Sequence, residues 1–203
     1  MRTSLNTIIG IPVEGWVVIA GTVATWRLLL LVHEAAWGLL ALVPLQMLFF
    51  ADRNRAVPSK PRGVLSPVDG RIVHRRECHD PMLDREAIRV SIRVSLWGAY
   101  SLRSPIEGEH VRFSGVGDRS SVVRTDEGDE IVIRMRSGSL LGALPIWTPV
   151  GDRIGQGRRC GLRRLVRELD LYLPANARVE VAADARVRSG QTVIATLLRK
   201  NPA

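Results

Sequence analysis

Lysine is nearly missing from this 203-residue chain: it stands only at Lys60 and Lys200, although 29 side chains are Lys or Arg. Arginine therefore carries the positive charge, and any chemistry that needs a lysine has two positions to draw on. Cysteine is equally scarce, with Cys78 and Cys160 alone. Two cysteines without metal-ligand spacing make neither a disulfide framework nor a zinc site, which fits a reducing compartment. The four histidines, His33, His74, His79 and His110, form no paired metal-binding pattern. His79 and Asp80 beside Cys78 would need further ligands that the chain does not supply, so this stretch reads as an exposed loop and no metal is expected. Aromatics are only 5% of the residues, too few for a surface that stacks bases. What is present is a globular composition, 46% hydrophobic and 24% charged, which excludes a disordered chain.

The charge is unevenly spread. Residues 1–50 hold Arg2, Arg27, Glu14 and Glu34 and are formally neutral, so the whole excess of +9 belongs to the remainder. Two uncharged apolar runs, Gly15–Trp26 and Ala35–Phe50, are separated by Leu28–Val32, with Arg27 and His33-Glu34 at the flanks. The second is close to the roughly 17-residue lower limit for a span. Trp16, Trp26 and Trp37 are suited to the interface, and Arg27, Arg53 and Arg55 can snorkel. Residues 1–50 thus read as a helical membrane hairpin that spans twice or dips into one leaflet. One arginine and no small-residue cleavage site argue against a cleaved signal peptide. Residues 51–63 form a basic linker containing Pro58 and Pro61, and its Arg53, Arg55, Lys60 and Arg62 favour the cytoplasmic side of a cell membrane.

From Val64 the period changes. Ile88, Val90, Ile92, Val94 and Leu96 alternate with Arg89, Ser91, Arg93 and Ser95, which predicts a half-buried strand. Residues 168–173 alternate in the same way. Shorter strands are predicted at Gly70–His74, Val111–Phe113, Glu130–Met135, Ala177–Val181 and Thr192–Leu198. No long amphipathic helix intervenes, so residues 64–203 read as an all-β domain and the chain as mainly β. The stretches Val150–Ile154 and Val187–Val193 each set Gly in a tight turn, and Pro67–Val73 has a similar hairpin character. Such turns suit a barrel-sandwich hybrid, the fold type that carries lipoyl or biotin on a lysine. Here the tips offer Arg71, Arg153 and Gln191, which excludes a carrier role.

Several landmarks follow one another in order. Residues 49–58, FFADRNRAVP, precede Val64-Leu65-Ser66-Pro67-Val68-Asp69-Gly70-Arg71-Ile72-Val73. Ile92–Trp97, Arg103-Ser104-Pro105-Ile106-Glu107-Gly108, Val150–Ile154 and Asp170-Leu171-Tyr172-Leu173-Pro174 come next. The series resembles the phosphatidylserine decarboxylase family in its short, single-hairpin form, over most of the chain. The resemblance implies a proenzyme. In that family a serine after glycine, just ahead of the Asp-Leu-Tyr-Leu-Pro strand, attacks the preceding carbonyl, and elimination leaves an N-terminal pyruvoyl group. That group forms a Schiff base with the lipid's serine amine and acts as electron sink for loss of CO2. A histidine and an aspartate activate the serine.

Carried over residue by residue, the implied aspartate falls on Asp69, which is present. The implied histidine falls on Tyr100, with Gly98 and Leu102 in place of a neighbouring aspartate and asparagine. The Gly-Ser pair falls on Val166 and Arg167. A guanidinium has no hydroxyl for an acyl shift, and a phenol of pKa about 10 is a poor base at neutral pH. No serine lies between Thr148 and Pro174, and Gly138-Ser139 reads as a hairpin turn. A pyruvoyl group cannot form at Arg167, and no cofactor is expected. The stretch ahead of Val122, where the family has an Asn-Glu-Arg-Asn run, keeps only Gly117–Ser120.

Asp-Gly is also a preferred turn pair, so Asp69 has a structural reason to be there. Arg163, Arg164 and Arg167 have two readings: a site for a lipid phosphate or carboxylate, or an ordinary solvated face, which is the simpler one. The function expected is a catalytically inactive relative of the decarboxylase. It binds anionic phospholipid, or regulates a membrane partner as a homo- or hetero-oligomer. The alternative is an active decarboxylase with an unrecognised processing site. Nucleic-acid binding is suggested only by a sequence pI of about 11 and lacks any supporting motif.

Overall fold

The computed structural model describes residues 7–8, 11–30, 40, 42–52, 55–114, 120–136, 146, 148–163 and 166–198. The chain divides into two compact units, Met1–Asn54 and Arg55–Ala203.

In the first unit a two-residue antiparallel pair, β1 (Thr7–Ile8) and β2 (Ile11–Pro12), leads directly into α1 (Val13–Leu30). The helix runs through Arg27, where the charge pattern predicted a break. The second, α2 (Leu42–Phe50), takes Pro44 in its first turn, where a missing amide hydrogen costs nothing. Residues 35–39 and 41 of the second apolar run lie outside the described residues. Gln46 Nε2 on α2 donates to Thr22 Oγ1 on α1 at 2.9 Å. Val17, Leu28 and Leu48 are more than half exposed. Among the described residues no helix is long and apolar enough to cross a membrane.

The second unit is built of strands. They are β3 (Gly63–Leu65), β4 (Gly70–Asp80), β5 (Arg85–Val94), β6 (Ser101–Arg103), β7 (Gly108–Ser114), β8 (Ser120–Arg124) and β9 (Glu130–Arg136). Then follow β10 (Arg153–Ile154), β11 (Arg159–Leu162), β12 (Glu168–Pro174), β13 (Arg178–Val179), β14 (Arg186–Val187) and β15 (Val193–Thr196). Eight strands form one antiparallel sheet in the order β10-β7-β8-β9-β12-β5-β4-β14; β13-β15-β3 and β11-β6 form smaller sheets. The mainly β reading holds, whereas a closed barrel does not form among the described residues: the large sheet ends in two short edge strands, β10 and β14.

As far as Val94 the alternation in β5 and β12 has the consequence its period predicts, whereas Leu96 lies beyond the strand and is exposed. Ile88, Val90, Ile92 and Val94 join Leu169, Leu171 and Leu173 in the main core. Each such side chain contributes about 1.5–3 kcal/mol on full burial. The opposite face of β12 is covered too, with Tyr172 packed against Ala87, Val122 and Val132.

Two expectations are corrected. Cys78, His79 and Asp80 are not a loop but the end of β4, paired with β5 as far as Asp80 and Arg85. Residues 74–77 of this strand are exposed on both faces, so no apolar alternation marked it. Nor is Pro67–Val73 a hairpin: β3 pairs with β15 while β4 pairs with β5 and β14, so the turn carries the chain between sheets. Ser104–Gly108 does the same between β6 and β7, and the two turns interlock. Leu65 N donates to Pro105 O at 2.8 Å and Arg103 N to Pro67 O at 3.0 Å. Ser66 Oγ and Ser104 Oγ each bond the carbonyl two residues on, both at 2.7 Å. Gly70 and Gly108 close the turns where a Cβ would stand 2.2 Å from Arg93 O and 2.1 Å from Arg124 O. The chain thus contains an internal repeat, Ser-Pro-Val-Asp-Gly against Ser-Pro-Ile-Glu-Gly.

Candidate functional site

The turn between β3 and β4 holds Asp69 at the floor of a cleft of about 610 Å³. Its carboxylate takes four hydrogen bonds. Arg55 Nη1 and Ser189 N donate to Oδ1 at 2.5 and 2.7 Å, and Arg55 Nη2 and Ala99 N donate to Oδ2 at 2.8 and 2.7 Å. Burial works to raise the Asp69 carboxyl, but the Arg55 guanidinium and the two amides outweigh it and hold it below the usual carboxylate range. A carboxylate so engaged stays ionised and ties three chain segments together; it is poorly placed to take up a proton.

The Ala99 amide leads to Tyr100, which is buried, with the Arg163 guanidinium 5.7 Å from its ring centroid. Arg163 is fully buried. Its Nε donates to Ala99 O at 2.8 Å, and its Nη2 donates to Leu96 O at 2.6 Å and Gly98 O at 3.1 Å. Burial pushes this guanidinium down from its ordinary value, against the pull of Tyr100 and Asp69. The solvated-face reading is therefore corrected at Arg163: the side chain is an internal brace for the 96–100 loop. Arg164 lies outside the described residues. Val166 is buried in the core, and its amide donates to Arg163 O at 3.3 Å. Arg167 is exposed, and its carbonyl accepts from Val94 N at 2.9 Å.

Asp69, Tyr100, Arg163, Val166 and Arg167 are thus linked by short contacts around one end of β5, with Val94 on the cleft wall. Gly98 makes the approach possible: a Cβ there would lie 2.5 Å from Asp69 Cβ. Sequence reasoning did not assign the arginines of the cleft. Arg55, Arg71, Arg93, Arg186 and Arg188 line it together with Asp69 and Trp97. Arg55 was visible only as part of a basic linker, and Arg93 only as the outward half of an alternating strand.

The thiol of the C-terminal half is disabled by burial. Cys160 is buried among the core residues, and loss of solvent pushes its thiol up to about 12. Among the described residues no three His, Cys, Asp or Glu side chains gather to hold a metal ion.

No family model matches the chain. Curated proteins do. The phosphatidylserine decarboxylase proenzyme of Burkholderia multivorans is 30% identical over 207 aligned positions, covering 91% of this chain and 94% of that protein. The proteins of the same name from Burkholderia mallei and Burkholderia vietnamiensis are 31% and 30% identical over the same shares. Among solved structures, the glucose permease IIA from Mycoplasma capricolum superposes on 66% of this chain and 93% of its own, at 17% identity and a TM-score of 0.46.

Proposed function

The chain belongs to the phosphatidylserine decarboxylase family, and we propose that it is a non-catalytic member that binds anionic phospholipid at a membrane, alone or paired with another membrane protein. The observation that carries this reading is the residue at the implied processing position. Arg167 is exposed at the entry to β12 and has no hydroxyl to form the ester from which a pyruvoyl group arises. The surroundings agree. No serine occurs from 148 to 174, and the thiol in that window, Cys160, is buried and protonated. Tyr100 stands buried where the resemblance implies a histidine. The residues present do not fit the pyruvoyl group.

Membrane attachment is assigned in this reading to residues 1–50, as a helical hairpin. The basic linker 51–63 follows it, and the β domain 64–203 lies on the cytoplasmic side. The exposed apolar side chains of α1 and α2 and the neighbouring arginines support it. Arg167 and the cleft arginines supply the charge for an anionic headgroup.

Intact mass with a carbonyl-reactive probe tests the reading. A single uncleaved chain of 22.5 kDa without probe label is the expected result. A labelled C-terminal fragment would overturn it in favour of an active decarboxylase, and the fragment's first residue would identify the processing site.

A further inference from the structure

Strand register sets three arginines side by side. Arg186 on β14 faces Arg71 on β4, and Arg71 faces Arg93 on β5. Adjacent strands lie about 4.8 Å apart, so the row is roughly 10 Å long. Directly opposed like charges weaken a sheet, and here the opposition occurs twice on one face. Nearby acids relieve it only in part. Asp184 meets Arg71 at 3.1 Å in an exposed pair. Glu168 faces Arg93 from β12, but its ion pair is with Arg136 at 3.6 Å. Asp69 is held by Arg55. All three arginines of the row line the cleft, and Trp97 stands at its rim 66% exposed.

From this row we propose that the cleft binds a phosphomonoester, a phosphate group carrying two negative charges. A guanidinium fork takes phosphate oxygens in pairs, and a dianion neutralises two of the three opposed charges where a diester neutralises one. Binding therefore removes a repulsion that the free sheet retains. The exposed indole beside the row suits an esterified apolar group, so a lipid phosphomonoester is one source and a soluble phosphomonoester the other. The lipid source rests on the membrane reading above; the phosphate site rests on the register alone.

The test uses the full chain in detergent, melted in inorganic phosphate and in chloride at one ionic strength. Flotation follows on phosphatidylcholine vesicles with and without phosphatidic acid. Phosphate raises the wild-type melting temperature. The double variant Arg93→Gln/Arg186→Gln melts higher than wild type in chloride and loses the phosphate response. Its preference for phosphatidic acid drops by about tenfold or more. Arg178→Gln, outside the cleft on β13, changes neither. A double variant that keeps the phosphate response, or a wild type without one, overturns the proposal. A wild type that floats on phosphatidic acid while the double variant floats equally well overturns it too and leaves the lipid reading standing. A phosphate response through the row without any vesicle preference supports the site and removes the lipid reading.

Discussion

Arg55 closes on Asp69 with both of its terminal nitrogens, at 2.5 and 2.8 Å, so that one guanidinium spans both oxygens of the carboxylate. The pair is mostly buried, with side-chain exposures of 19% and 12%. Breaking such a pair from one side strands the other charge and costs about 3 kcal/mol or more. Asp69→Asn should lower the urea stability by that order near neutral pH.

The same pair fixes an acid dependence. Burial opposes ionisation of Asp69, and Arg55 with the two amides overcomes it, so the folded pKa lies below the unfolded one. The contribution is complete above an unfolded pKa of about 4 and is lost as pH falls through the folded value. Urea titrations from neutral pH to about pH 3 should show a steeper acid loss in wild type than in Asp69→Asn. Parallel curves would show that Asp69 is not held this way.

Gly98 gives a steric prediction. A methyl group there meets Asp69 Cβ at 2.5 Å and Oδ2 at 3.0 Å, and Asp69 is pinned by four donors and cannot retreat. Gly98→Ala should cost about 1–3 kcal/mol, the usual range for overpacking. The resemblance implies an aspartate at this position, and here even alanine does not fit. Denaturation that matches wild type would mean that the 96–100 loop moves aside freely.

The legible parts of the fold were those whose period met a core. The alternations over β5 and β12 predicted both strands because one face of each is apolar and buried. Residues 74–77 of β4 carry no such signal, since water bathes both faces of the strand there. The Ser66-Pro67 turn misled for a different reason: a tight turn between strands reads as a hairpin, and nothing local tells that β3 and β4 pair with different partners. At the site, the ordered motifs drew attention to Asp69, Tyr100 and Arg167 together. The arginine row was illegible because it depends on β14 docking beside β4, a long-range register that no neighbouring residue announces. Arg163 was misjudged because arginines are so rarely fully buried.

His110 predicts a second pH effect at milder acidity. The ring is buried and Nε2 bonds Ser121 Oγ at 2.6 Å. Burial lowers its pKa, and the carbonyls of Pro149 and Thr148 only partly offset this. The unfolded chain therefore binds more protons below about pH 6.5, and stability falls as pH drops through that region toward the folded pKa. The slope from one such group is at most about 1.4 kcal/mol per pH unit. His110→Gln should flatten the urea midpoint between about pH 7 and 5 relative to wild type. An unchanged slope would assign the titration to other groups.

Arg163 separates charge from shape. Its guanidinium reaches three carbonyls, of Leu96, Gly98 and Ala99, in directions that a planar fork satisfies at once. Lysine keeps the charge but presents a compact ammonium on a flexible stem, and methionine keeps the length with no donor. If charge alone held the loop, Arg163→Lys would be nearly silent. If the fork holds it, Arg163→Lys should lose about 1.5–3 kcal/mol. Arg163→Met should lose as much or more, because the buried Ala99 carbonyl then loses the Nε donor and the other two lose theirs. Amide hydrogen exchange gives the local readout. Protection at Gly98 and Ala99 should fall in both variants, since their amides bond Ser95 O and the Asp69 carboxylate only while the loop is braced. Retained protection in Arg163→Lys would show that a positive charge at this point suffices and that the fork geometry is incidental.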